Sequence, residues 1–164
     1  MSMNTVPERL AALRAAMAAN GVAVYLIPVG DPHASEYLPC HYTSLTWFSG
    51  FHGENSNFVV TRTESALWAD GRYFVQAEKE IAGTEIKLQR IGEPGVPTVE
   101  EYCANALNEG EALGLCGLTA STALVNDLKK ALEKKGASIK TLNLEDELWT
   151  EGRPARPATP AWIL

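Results

Sequence analysis

The stretch Asn57-Phe-Val-Val-Thr-Arg-Thr-Glu-Ser-Ala-Leu-Trp-Ala-Asp-Gly-Arg-Tyr-Phe-Val-Gln-Ala-Glu-Lys-Glu-Ile81 sets the class of the fold. Asn57 to Thr61 and Ala66 to Ala69 are short apolar runs of strand length, and the polar Arg62-Thr-Glu-Ser65 between them predicts a β-hairpin. Asp70-Gly-Arg72 closes the second strand. From Tyr73 to Ile81 the period lengthens, with Phe74, Ala77 and Ile81 on one side of a helix. A hairpin that runs straight into a helix is the start of a layered α/β arrangement.

The flanks continue that pattern. Upstream, Thr5 and Glu8 form a capping-box signature with Pro7 in the first turn. Leu10, Leu13 and Met17 then share a face, and Asn20-Gly21 supplies the stop. Ala23-Val-Tyr-Leu-Ile27 before Pro28 is a continuous apolar run, as a strand buried on both faces requires. Downstream, Glu85 to Ile91 alternates like a strand, and Thr98 with Glu101 opens a helix through Tyr102, Ala106 and Leu107. Ala112 to Cys116 is strand-like, Ser121 to Lys135 is a helix ended by Gly136, Ser138 to Leu142 is a last strand, and Glu145 to Trp149 a short helical turn. The alternation predicts an α/β domain with a mixed β-sheet and helices on both faces, antiparallel at the hairpin and parallel in the later crossovers. Asp31 to Ser56 shows only turn chemistry and apolar anchors. Prolines 154, 157 and 160 favour an extended chain, so the expected division is a domain over residues 1–152 and a linker over 153–164 that leads toward a separate catalytic partner.

Composition excludes several functions. In 164 residues, 46% are hydrophobic and 21% charged, which is globular rather than disordered. The net charge of -6 is spread along the chain, without the clustered Lys and Arg that displace counterions from a nucleic acid. Lys129, Lys130, Lys134 and Lys135 gather only on a helical pattern with Glu133. No run of about 18 apolar residues is present, so no membrane partner is expected. Cys40, Cys103 and Cys116 have no paired spacing, which fits reduced thiols and the cytoplasm.

The chemical candidates are incomplete sets. His33, Cys40, His41 and His52 lack the paired spacing of a zinc site. Ser35, Ser44, Ser49 and Ser56 sit in no Gly-x-Ser-x-Gly elbow. Asp31 and Asp70 could serve as an acid and base in a self-sufficient hydrolase, or simply shape turns. Trp47 and Trp68 serve the core or a partner surface. On its strand, Trp68 points opposite to Leu67 and Ala69. Arg72 is either half of a structural pair with Asp70 or a guanidinium held by Asp70 with its donor fork turned outward.

Three separated motifs carry a resemblance: Asp31-Pro-His-x-Ser-Glu-Tyr37, Trp47-Phe-Ser-Gly-Phe51, and Leu67-Trp-Ala-Asp-Gly-Arg-Tyr-Phe74 with Gln76-Ala77. With the opening helix, the strand before Pro28, and Asn143-Leu-Glu-Asp-Glu-Leu-Trp149 before Arg153-Pro154, the chain resembles the amino-terminal domain of aminopeptidase P, in the creatinase/prolidase group. The resemblance implies a domain without catalytic residues or metal ligands of its own, inert alone. In such a protein a downstream domain holds two divalent metals, usually manganese, and removes an amino-terminal residue preceding proline. It implies a substrate contact for Arg72 and for Trp68, the latter near the active-site mouth, with Asp70 as the group orienting Arg72, and a homodimer when full length. The family's Ser-Gly-Phe-Thr-Gly-Ser-Ala-Gly is replaced here by Ser49-Gly-Phe-His-Gly-Glu-Asn-Ser56, and the family arginine near Leu45 is missing. Those departures leave a second reading open, a peptide- or protein-binding module of an inactive relative.

Overall fold

A computed structural model describes Met3, residues 5–160 and Trp162; Ala161, Ile163 and Leu164 of the expected linker lie outside the described residues. The elements in order are α1 (Val6–Ala19), β1 (Val24–Pro28), a 3-10 turn (Cys40–Tyr42), α2 (Ser44–Ser49), β2 (Asn57–Thr61), β3 (Ser65–Ala69), α3 (Phe74–Glu80), β4 (Lys87–Arg90), α4 (Val99–Asn105), β5 (Ala112–Leu115), α5 (Thr122–Glu133), β6 (Ser138–Thr141) and α6 (Leu144–Leu148). They build one six-stranded sheet in the order β4-β3-β2-β1-β5-β6. β2 runs antiparallel to β1 and β3, while β4 is parallel to β3, β5 to β1 and β6 to β5.

Local chemistry places the ends of these elements. Both capping boxes form: Thr5 and Glu8 exchange bonds at the start of α1, and Thr98 and Glu101 at the start of α4. Ser121 caps α5 by accepting from the Leu124 amide at 3.2 Å. The hairpin turn is one residue shorter than the sequence suggests. The Thr61 hydroxyl accepts from the amides of Thr63 (3.3 Å) and Glu64 (3.0 Å), which frees Ser65 to join β3.

Period-2 alternation divides the side chains between two cores. On one face Tyr25, Ile27, Phe58, Val60, Leu67 and Ala69 pack under α1 and α2 with Ala77 of α3 and Leu144 of α6. On the other, Val24, Leu26, Val59, Ala66 and Trp68 pack under α4 and α5. Helices therefore cover both faces, as the alternation predicted.

The element absent from the sequence reading is α2. Its six residues, Ser-Leu-Thr-Trp-Phe-Ser, are too few to display a helical period, and Ser, Thr and the aromatics are mediocre helix formers. Tertiary contacts hold it. Trp47 stacks on Trp149 with centroids 5.5 Å apart, and the Arg9 guanidinium lies over the Trp47 ring and donates to the Trp47 carbonyl at 2.6 Å. Gly50, in the left-handed region at φ 79°, ends it.

Residues 153–160 have no regular structure, in keeping with their prolines. The first of them nevertheless dock on the domain. The Arg153 guanidinium donates to the His41 carbonyl (3.1 Å) and pairs with Asp146, and the His41 ring meets the Pro154 carbonyl at 2.8 Å.

Candidate functional site

Asp70 ends β3 at the carboxyl edge of the sheet, and the chain turns there with the Tyr73 amide donating to the Asp70 carbonyl at 2.9 Å. The carboxylate does not cap α3, a role open to it in the sequence; its Oδ1 accepts from the Arg72 amide at 2.9 Å instead. Within that tight turn the guanidinium folds back on the same group. Nε donates to Oδ1 (3.1 Å) and Oδ2 (3.2 Å), and Nη2 to Oδ2 (2.7 Å). The geometry is bidentate, and its consequence is an oriented cation. Nη1 makes no hydrogen bond among the described residues, and the Arg72 side chain is 65% exposed against 19% for Asp70. The guanidinium carbon lies 5.3 Å from the centre of the Tyr73 ring, which limits its swing.

Electrostatics agree with a permanent ion pair. The Arg72 guanidinium holds the Asp70 carboxyl well below the usual carboxylate range, with a smaller contribution from Asn55, and Asp70 in turn raises Arg72. Both stay charged at any physiological pH.

A second loop closes on this pair. Asn55 Nδ2 donates to Asp70 Oδ2 at 3.2 Å, and the Tyr73 hydroxyl donates to Glu54 Oε2 at 3.4 Å. Asn55 sits in the left-handed region (φ 49°), which asparagine tolerates better than most residues. The sequence reading singled out neither Glu54 nor Asn55. The available signal was their place in the segment where the family pattern has Ser and Ala, so the changed loop is the one that touches Asp70.

Other candidates are placed elsewhere. Trp68 is 2% exposed. Its Nε1 donates to the Pro97 carbonyl at 2.9 Å, and its ring meets Tyr102 edge-on at 5.0 Å beneath α4. The ring packs inside the domain with almost no surface open to a ligand. Ser49 is buried, donating to the Leu45 carbonyl (2.7 Å) and accepting from the Phe51 amide (3.1 Å). Burial raises the Cys103 thiol, the opposite of a reactive thiolate. Asp31 and Asp70 share no hydrogen-bond partner, and both are shifted downward rather than apart, unlike an acid and a base. No group of three or more His, Cys, Asp or Glu among the described residues is placed to hold a metal. A divalent metal pair does not fit these residues, and no step through one is assigned to them.

Along the same edge of the sheet runs a groove of about 810 Å³ between residues 28–38, 54–57 and 117–124. It opens at the carboxyl ends of the parallel neighbours β1 and β5. The chain leaves β1 toward β2 and leaves β5 toward β6, which makes this the topological switch point of the sheet.

The chain belongs to a known family of α/β domains. Residues 9–148 match the creatinase/prolidase N-terminal domain. Over 158 residues the chain is 39% identical to Aminopeptidase P2 of Arabidopsis thaliana, covering 93% of this chain and 22% of that protein. It is 38% identical over 167 residues to a Sordaria macrospora protein named "Probable Xaa-Pro aminopeptidase P", of which it covers 27%. Among solved structures, an X-prolyl aminopeptidase of Caenorhabditis elegans, a cytosolic enzyme with a di-nuclear active site, superposes with a TM-score of 0.83 at 33% identity, over 93% of this chain and 26% of that one. The N-terminal domain of the cytoplasmic peptidase PepQ of Mycobacterium tuberculosis gives 0.60 at 26% identity, over 85% of this chain and 95% of that one. The chain thus spans about a quarter of the length of the aminopeptidases it matches.

Proposed function

We propose that this chain is the non-catalytic amino-terminal domain of an Xaa-Pro aminopeptidase, and that Arg72 forms part of the wall of the substrate cleft. The whole protein would remove an amino-terminal residue preceding proline, acting in the cytoplasm as a homodimer, with a divalent metal pair (manganese on the family's habit) held outside residues 1–152. The observation that carries the reading is Arg72, fixed along one edge by Asp70 and exposed on the other. A peptide presents carbonyl oxygens and a carboxylate, and a guanidinium whose orientation is already set loses little freedom in binding them. Asp70 is the positioning group, Asn55 braces it from the loop, and Glu54 holds the neighbouring Tyr73 hydroxyl. The chain from Arg153 onward would lead to the downstream domains, its first residues anchored on His41 and Asp146.

In the protein carrying its native downstream sequence, Arg72→Ala is expected to lower kcat/KM for an X-Pro-Y peptide by roughly 10- to 100-fold, the loss of one or two charge-assisted bonds. Arg72→Lys should recover only part of it, because an ammonium cannot bond Asp70 and a substrate in the same plane. Stability should barely move, since an ion pair with a solvent-exposed guanidinium contributes little. Unchanged turnover in Arg72→Ala would remove the residue from the cleft.

The alternative, a binding module of an inactive relative, rests on the altered loop that now contacts Asp70. It makes the opposite forecast: no release of the residue before proline from any such peptide, and retained peptide binding.

A further inference from the structure

Asp31 stands at the carboxyl end of β1, in the wall of the groove, and is 6% exposed. Its Oδ1 is satisfied, accepting from the amides of His33 (2.9 Å) and Ser35 (3.0 Å). Its Oδ2 is buried and has no hydrogen-bond partner. The Ser35 and His33 amides on Oδ1 hold the carboxyl below its ordinary value, so the group is ionised and Oδ2 shares its charge. A buried charge without a partner is costly, and a donor brought by a ligand would offset that cost.

The rest of the groove describes the donor. Glu36 and Glu54 also line it, against His33 and no lysine or arginine among its lining residues. A cation is therefore favoured. A metal ion is not, because no three metal-ligating side chains converge. Beside the carboxylates lie Pro28, Leu38, Leu118 and Leu124, apolar surface of the kind that receives a methylene stem. The floor is fixed: a Cβ on Gly30 would fall 2.6 Å from the Thr119 carbonyl oxygen, so the loops after β1 and β5 meet at a position only glycine allows. About 810 Å³ is ample for one extended side chain with the backbone that carries it.

We propose that this groove is a binding site for a basic side chain of a peptide, an ammonium or guanidinium on an aliphatic stem, with Asp31 as the buried counter-ion and Glu36 and Glu54 at the rim. Arg72 does not line this groove, although the loop of Glu54 and Asn55 borders both.

The test titrates the ¹⁵N-labelled chain at neutral pH with N-acetyl-argininamide and N-acetyl-lysinamide, using N-acetyl-norleucinamide as the uncharged stem. The expected result is saturable shifts of the His33, Ser35 and Thr119 amides with at least one basic compound and none with norleucine. Asp31→Asn keeps the acceptor for the two amides and removes the charge; it should weaken binding at least tenfold, while Asp127→Asn, an exposed carboxylate outside the groove, leaves it unchanged. Should Asp31→Asn fail to fold, Glu36→Gln and added salt must each weaken binding. Absence of saturation up to millimolar concentrations, equal binding by norleucinamide, or affinity indifferent to charge removal from the groove would overturn the proposal.

Discussion

Trp68→Ala is expected to destabilise the domain by about 3–5 kcal/mol, the range for removing a fully buried large aromatic. Trp68 lies in the middle of β3, with Asn57 opposite on β2 and Gln89 on β4, and its ring fills the space under α4 with Val99, Cys103 and Tyr102. Alanine opens a cavity there and leaves the Pro97 carbonyl without its donor. Single domains have only about 5–15 kcal/mol in total, so the variant should sit near the edge of folding, read as a large drop in the urea midpoint. Trp68→Phe retains most of the volume and loses the N–H bond; about 1–2 kcal/mol is expected. That milder variant separates packing from substrate contact. Placed in the whole protein well below its melting temperature, it should keep kcat/KM within about twofold. A tenfold loss with the fold intact would return Trp68 to the active-site mouth.

The case of Trp68 shows what a sequence can and cannot convey. Strand alternation put it on the opposite side from Leu67 and Ala69, and the two cores divide along that line. Nothing local says that α4 covers its side, because Val99 and Cys103 arrive after a further strand and loop. The capping boxes, the hairpin and the strand before Pro28 were legible because their causes lie within four or five residues. The α2 helix was not, since it is held by Arg9 and Trp149 from distant parts of the chain. The Asp70–Arg72 pair was legible from a spacing of two. Its brace by Asn55, and the missing partner of Asp31 Oδ2, depend on how loops meet at the sheet edge. Arg153 and Pro154 read as linker on proline spacing alone, yet Arg153 is nearly buried by contacts with His41 and Asp146.

Glu145 should make the domain lose stability as the pH rises from about 4.5 to about 7. The residue is 2% exposed at the start of α6, and its Oε1 is buried without a hydrogen-bond partner. The nearby cation does not rescue it, because Arg153 is committed to Asp146 and the His41 carbonyl. Burial is the main cause that pushes its pKa from 4.5 up to about 7; Asp146 adds a smaller rise, and the Tyr25 hydroxyl and Cys116 thiol oppose it. Between those values the folded chain keeps a proton that the unfolded chain has released. Stability from this group is therefore complete below pH 4.5 and is lost as the pH climbs through 7. That gap sets the loss at about 3 kcal/mol at most, nearly all of it reached by pH 7. Carboxylates shifted the other way, such as Asp70 and Glu85, weaken the fold only as the pH falls through their lowered pKa values, so the two effects occupy separate windows. Glu145→Gln keeps the shape and removes the proton. Its urea-unfolding free energy should match the parent near pH 4, exceed it increasingly from pH 5 to pH 7, and hold that margin at pH 8. Parallel profiles across that range would mean that Glu145 is solvated in the folded state, and that α6 opens where the structure shows it closed.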